Sequence, residues 1–301
     1  MLMRSAEIIN SPIADSALLE SDLYEEWKRY GQHIKEYASE FVGTAFFMFC
    51  VVGVVAMLFA TSSPAARIVP SAAVRLFFAG LFIGSSGWLV ALSPPGRLSG
   101  AHLNPAVTIG FWLLKKMHGG DMVGYVIAQM LGAVGGAAIA HIVFGHLANE
   151  VSMALLRPAK RVGAGAAFFA ETGATFALTF VLYTFASRKK LLRWTPVAVT
   201  LMAGIMVCLD GDYSGAGMNP ARWFGPAAQT GAWQLAWVYL AGPIVGAVSA
   251  ALLRRSGLFT RPVPATGKVF HDPRYRSVFR HDKVPTKRPS LVRMKIDRTS
   301  L

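Results

Sequence analysis

Two asparagines set the chemistry that this chain can offer. Ser99-Gly100-Ala101-His102-Leu103-Asn104-Pro105-Ala106 recurs as Ser214-Gly215-Ala216-Gly217-Met218-Asn219-Pro220-Ala221, with six of eight positions identical and an offset of 115 residues. Asn is a preferred helix N-cap, and Pro suits the first helical position because its φ is already helical and its missing N–H would have no partner there. A capping Asn accepts a backbone N–H through its side-chain oxygen, which leaves its NH2 group to donate into a cavity. The start of a helix also carries about half a positive charge. Arg222, three residues after Asn219, adds a full charge to the second helix start. Such donors, interleaved with backbone carbonyls, suit neutral hydrogen-bonding molecules and repel cations. No nucleophile–base pair and no metal-ligand cluster stands inside the apolar segments, so catalysis and a resident metal or cofactor are not expected.

The elements that must hold these groups are membrane spans. Hydrophobic residues make up 53% of the 301, charged residues only 15%, and the mean hydropathy is +0.43. A soluble domain carries about 25% charge. The formal charge of +14 is not a nucleic-acid signature once located: residues 254–301 hold 13 Lys/Arg against 3 Asp/Glu, and residues 1–36 hold 4 against 7. The segment between them is charge-poor. Cys50 and Cys208 lie in apolar runs and are expected to pack in the core rather than form a disulfide framework. Residues 1–36 lack the apolar stretch of a cleavable signal.

Apolar segments long enough to span a bilayer, about 20 residues each, fall at 37–60, 72–92, 122–144, 164–186, 194–209 and 233–253. Between them lie loops at 61–70 and 146–162 and a Pro-Pro-Gly turn at 94–96. The helices opened by Asn104 and Asn219 run only to about Leu114 and Gln229, too short to cross. The pattern is three spans with a half-helix after the second, then the same again. Three is odd, so the second unit enters from the opposite face and the half-helices meet near the midplane, the usual place for a site in inverted repeats. Irregular backbone at that depth must be buried in protein or line a watery passage. The carbonyls of Gly100, Ala101, His102, Gly215, Gly217 and Met218 are therefore candidate pore-lining groups. Lys115, Lys116, Arg188, Lys189, Lys190, Arg193 and the basic C-terminus fall on one side, which places both termini in the cytosol.

The chain resembles the major intrinsic protein family of aquaporins and aquaglyceroporins over about residues 37–254. The paired Asn-Pro-Ala motifs carry the match, as 99–108 and as Asn219-Pro220-Ala221-Arg222-Trp223-Phe224-Gly225-Pro226. Glu40, Glu171, Tyr125, Gln129 and Gly242-Pro243 support it. The resemblance implies an all-α membrane protein, a right-handed bundle of six transmembrane helices and two half-membrane re-entrant helices, with one pore per subunit in a homotetramer. It further implies a passive channel for water or small neutral solutes in the cell membrane. A four-residue filter maps to Arg222, Val207, Ala216 and a position in the second span. Counting twenty residues back from Asn104 gives Gly84; allowing for an insertion at 93–97 gives Ala79. Water-only members usually carry an aromatic residue at this span-two position and a His where Val207 stands. The three partners of Arg222 are small or aliphatic, so a wide filter is expected, open to glycerol, urea, hydrogen peroxide or metalloid acids.

Other readings weigh less. A secondary transporter also uses inverted repeats, but no mid-span Asp or Lys is available to bind a coupling ion. A non-conducting scaffold leaves the Asn pair and Arg222 unexplained. Acids inside a span are costly, so Glu40 and Glu171 are expected to brace the half-helix loops, with Gln129 pinning one of them. Gly80/Gly84, Gly132/Gly136 and Gly242/Gly246 fit close helix packing. Three parts are expected: a polar cytosolic segment 1–36, amphipathic through Leu18, Leu19, Leu23 and Trp27; a channel domain 37–254 with repeats at 37–145 and 164–254; and a disordered basic cytosolic tail 255–301, attracted to anionic lipid rather than nucleic acid. The tail carries Ser277, Thr286 and Ser290, all conceivable phosphorylation sites.

Overall fold

The computed structural model describes residues 33–258, 266–272 and 274–275. The amphipathic reading of residues 18–27 and the three hydroxyl residues at 277, 286 and 290 lie outside them. Among the described residues the fold is all-helical. Six helices are long and apolar enough to cross a membrane. They are α1 (Ile34–Phe59), α3 (Ala72–Leu92), α6 (Gly119–Glu150), α7 (Ala164–Ala186), α8 (Thr195–Asp210, which with the helical turn before it spans Leu192–Asp210) and α10 (Ala236–Arg255). Two short helices, α5 (Pro105–Leu113) and α9 (Pro220–Thr230), follow the repeated motifs. At 1.5 Å per residue α5 spans only about 14 Å, half a bilayer core.

The packing has the symmetry expected of inverted repeats. Helix α1 lies along α6, and its counterpart α7 lies along α10; α3 pairs with α8 across the middle. Each half-helix leans on the last span of the other repeat, α5 on α10 and α9 on α6. The glycine pairs sit where these helices cross. A side chain at Gly132 or Gly136 would strike the backbone of Phe41 or Ala45 on α1, and one at Gly246 would strike Thr172 on α7. Gly80 and Gly84 meet Gly204 and Thr200 on α8 in the same way. Small residues let backbones approach where lipid offers no hydrophobic drive for association.

Four local expectations need correction. The 94–96 turn is instead a short helix, α4 (Pro94–Ser99), because the two prolines occupy its first turn and Ser93 Oγ accepts the Gly96 N–H at 3.2 Å. The 61–70 loop contains another, α2 (Pro64–Ile68), capped by Ser63. Helix α6 does not stop near Phe144 but continues to Glu150 after a backbone break at Gly145 (φ 49°, ψ −120°). Cys208 is exposed on α8 rather than packed in the core.

The Gly136 contact defines a test. Gly136→Leu is expected to abolish a monodisperse, thermally stable protein in detergent, because α1 and α6 can no longer close. Gly173→Ala on α7, where an added Cβ meets nothing within 4 Å, is expected to be neutral or to stabilise by up to about 1 kcal/mol. Equal melting temperatures for the two variants would refute the close-packing role.

Candidate functional site

The two motif loops are folded by the same contacts. Gly100 and Gly215 take left-handed φ of 90° and 105°, followed by Ala101 and Ala216 at 53° and 50° and by Leu103 and Met218, both at 52°. Non-glycine residues in this region cost on the order of 1–3 kcal/mol each and need outside support. Buried carboxylates supply it. Glu40 accepts the N–H groups of His102 (3.0 Å) and Leu103 (2.8 Å), while Glu171 accepts those of Gly217 and Met218 (both 2.8 Å). Gln129 Nε2 adds a bond to Glu40 at 2.7 Å and Ser214 Oγ one to Glu171 at 2.8 Å. Tyr125 donates to the Ser99 carbonyl (2.8 Å) and Tyr239 to the Ser214 carbonyl (2.7 Å). With their N–H groups turned onto these acids, the loop carbonyls point the other way.

The asparagines close the arrangement. Each caps its helix as expected: Asn104 Oδ1 accepts the Ala106 N–H at 2.9 Å, and Asn219 Oδ1 accepts the Ala221 N–H at 3.0 Å. Their NH2 groups are not wholly free. Asn104 Nδ2 donates to the Met218 carbonyl and Asn219 Nδ2 to the Leu103 carbonyl, both at 2.8 Å. One proton of each amide thus ties the half-helix tips together, and one remains for the cavity. The Met218 carbonyl, expected to face the passage, already has this donor. Pro105, Ala106, Pro220 and Ala221 are buried in the first turns behind the tips.

A cavity of about 380 Å³ runs past both asparagines. Its lining includes Arg222, Val207, Ala216, Ala79 and Gly84, and the loop residues Gly100 excepted: Ala101, His102, Gly215, Gly217 and Met218. The Gly100 carbonyl instead accepts the Val269 N–H at 2.9 Å. The two span-two candidates sit at different depths. Gly84 backs onto Thr200, seven residues and about 10 Å along α8 from Val207. Ala79 adjoins Gly80, which meets Gly204, within one turn of Val207.

Sequence reasoning missed two contributors. Ser152, Met153 and Ala154 form a left-handed turn (φ 49°, 57° and 57°) that aims the Ala154 carbonyl at Arg222 Nη1, 2.8 Å away. Without a glycine there, the sequence carries no signal of this turn. Leu156 then packs against Gly215 and Gly217. The second is residues 266–272 of the tail, expected to be disordered. Thr266, Lys268 and Asp272 are buried, Val269 lines the cavity, and the Gly267 carbonyl lies 2.7 Å from His102 Nε2.

The model of the major intrinsic protein family matches residues 26–254. A probable aquaporin TIP2-2 from Arabidopsis thaliana is 34% identical over 223 residues, 73% of this chain and 86% of that protein. Aquaporin AqpM from Methanothermobacter thermautotrophicus is 34% identical over 237 residues, 72% of this chain and 95% of its own. The solved aquaglyceroporin from Plasmodium falciparum superposes with a TM-score of 0.63 at 22% identity, covering 75% of this chain and 97% of that one, and so shares the fold.

The carboxylate brace is testable. Glu171→Ala leaves two buried N–H groups without acceptors, each costing about 1–3 kcal/mol. It is expected to lower the melting temperature in detergent and reduce flux in proteoliposomes, with Glu171→Gln intermediate because one oxygen remains. A Glu171→Ala protein as stable and active as the parent would remove the brace from the mechanism.

Proposed function

The chain belongs to the major intrinsic protein family, a membrane channel of the aquaporin kind for water and small solutes, and from that premise we propose that its filter is wide. The observation that carries the proposal is the composition of the ring around Arg222: Val207, Ala216 and Ala79 offer methyl groups where a narrow filter needs rings. Ala79 is preferred to Gly84 because it lies within a turn of the Val207 level. The solutes that pass are uncharged molecules with several hydrogen-bonding groups, of the glycerol, urea and hydrogen peroxide class, alongside water. Each finds a remaining N–H of Asn104 and Asn219 and carbonyls of the two loops, and exchanges one partner for the next without leaving a polar group unpaired.

Ions are rejected by charge. Two helix starts face one another at the Asn pair, each with about half a positive charge, in surroundings of low polarity. Arg222, held by the Ala154 carbonyl, adds a full charge just outside them. A cation, including a hydrated proton, meets this field while losing its water, and carbonyls alone do not offset both costs. The assembly unit is a homotetramer in the cell membrane, with both termini in the cytosol and residues 1–36 and 255–301 outside the channel domain.

Proteoliposomes provide the test. The parent chain is expected to pass water, glycerol and urea. Ala79→Phe with Val207→His is expected to cut glycerol and urea flux by roughly tenfold or more, about 1.4 kcal/mol of added barrier, and leave water flux within a factor of a few. Parent vesicles that pass water but neither glycerol nor urea would refute the wide filter.

A further inference from the structure

Beyond the matched region, which stops at residue 254, a piece of the tail returns to the channel. The Val269 N–H donates to the Gly100 carbonyl at 2.9 Å, a backbone group of the first motif loop. Two residues earlier in the chain, the Gly267 carbonyl meets His102 Nε2 at 2.7 Å, and that imidazole stacks on Phe111 with centroids 4.8 Å apart. Val269 belongs to the buried cluster that includes Val90, Leu103 and Leu114, and it also lines the cavity. The anchors lie to either side. Lys268 is fully buried and its Nζ donates to the carbonyls of Arg97 and Tyr275. Arg97 in turn pairs with Asp272 at 3.2 Å and lies over the Phe270 ring at 5.6 Å.

We propose that residues 266–272 are a stopper on the cytosolic mouth, seated on Gly100 and His102 and lowered into the passage at Val269, so that the fully open channel requires their release. The proposal rests on the channel reading above. A carbonyl that would hand solute onward is occupied by a chain N–H, and an isopropyl group stands beside it where the passage needs a polar partner. The described contacts holding the segment are mainly polar, and its apolar contribution among them is Val269 and the partly buried Phe270. Such a segment is poised between seated and released states, as a switch must be.

The charges on the segment give the direction of its control. Lys268 faces Asp272 and Tyr275 of its own segment, Arg97 of α4 and Glu36 of α1; His271 faces Thr266, Lys268 and Asp272. His102 touches the segment through Gly267, and Arg274 holds Asp272. Burial pushes Lys268 down to about 8 and holds His271 below its ordinary 6.5. Both groups therefore bind a proton more readily once released. Seating strengthens as pH rises from about 8 towards the ordinary Lys value of 10.5, and weakens as pH falls below 6.5, where a released His271 takes up a proton. Acid opens and alkali closes.

The test uses the full chain in proteoliposomes. Asp272→Asn with Val269→Gly is expected to raise water permeability several-fold, and the parent is expected to gain permeability between pH 7.5 and 5.5. In parallel, Val269→Cys in a chain with Cys50→Ser and Cys208→Ser is expected to resist a maleimide reagent, and to react readily once Asp272→Asn is added. Labelling that shows release without any gain in permeability overturns the stopper, as does a Val269→Cys that labels equally fast with Asp272 intact. If neither parent nor released variant passes water or any solute of the panel, the channel reading itself fails, and the stopper with it.

Discussion

Everything at the centre of this protein depends on four backbone N–H groups having acceptors where there is no water. The loops before Asn104 and Asn219 are not helical, and an unpaired N–H at that depth costs several kcal/mol. Glu40 and Glu171 take two N–H groups apiece. In doing so they force the left-handed turns at Ala101, Leu103, Ala216 and Met218 and swing the carbonyls outward. The acids most out of place in an apolar span are therefore what holds the two motif loops in shape. Each acid is met by converging donors, two loop N–H groups with Gln129 for Glu40 and with Ser214 for Glu171.

The second constraint is reciprocity. Each Asn satisfies its own helix with its oxygen and the other loop with its nitrogen. Neither half-helix can shift without leaving a carbonyl of its partner unpaired. The two repeats are thereby tied together at the half-helix tips by a reciprocal pair of 2.8 Å bonds. Under the proposed function, selectivity by size falls to the ring of Val207, Ala216 and Ala79 around Arg222.

The repeats differ in what packs on each motif loop. Position 102 is His and its counterpart 217 is Gly. On the Gly217 side the vacant space is taken by Leu156, from the loop that also supplies the Ala154 carbonyl to Arg222. On the His102 side the imidazole receives the tail through Gly267. One motif loop is dressed by the loop between the repeats, the other by the end of the chain.

The sequence by itself determined the architecture and most of the site. A repeated motif, an odd number of apolar segments per repeat and two segments too short to cross leave few alternatives, because each is dictated by bilayer thickness and helix rise. The glycine pairs and both acids were legible for the same local reason: their cost in a span demands a purpose. Tertiary structure alone decided which groups meet across long separations. It turned one Asn amide proton from the cavity to the opposite loop, placed Ala79 rather than Gly84 within a turn of Val207, and aimed Ala154 at Arg222. It also brought a basic tail, which composition reads as solvated, onto Gly100 and His102. No periodicity or motif encodes these contacts, because they arise from backbone carbonyls and N–H groups that every residue carries, and only the folded chain selects which of them come within reach.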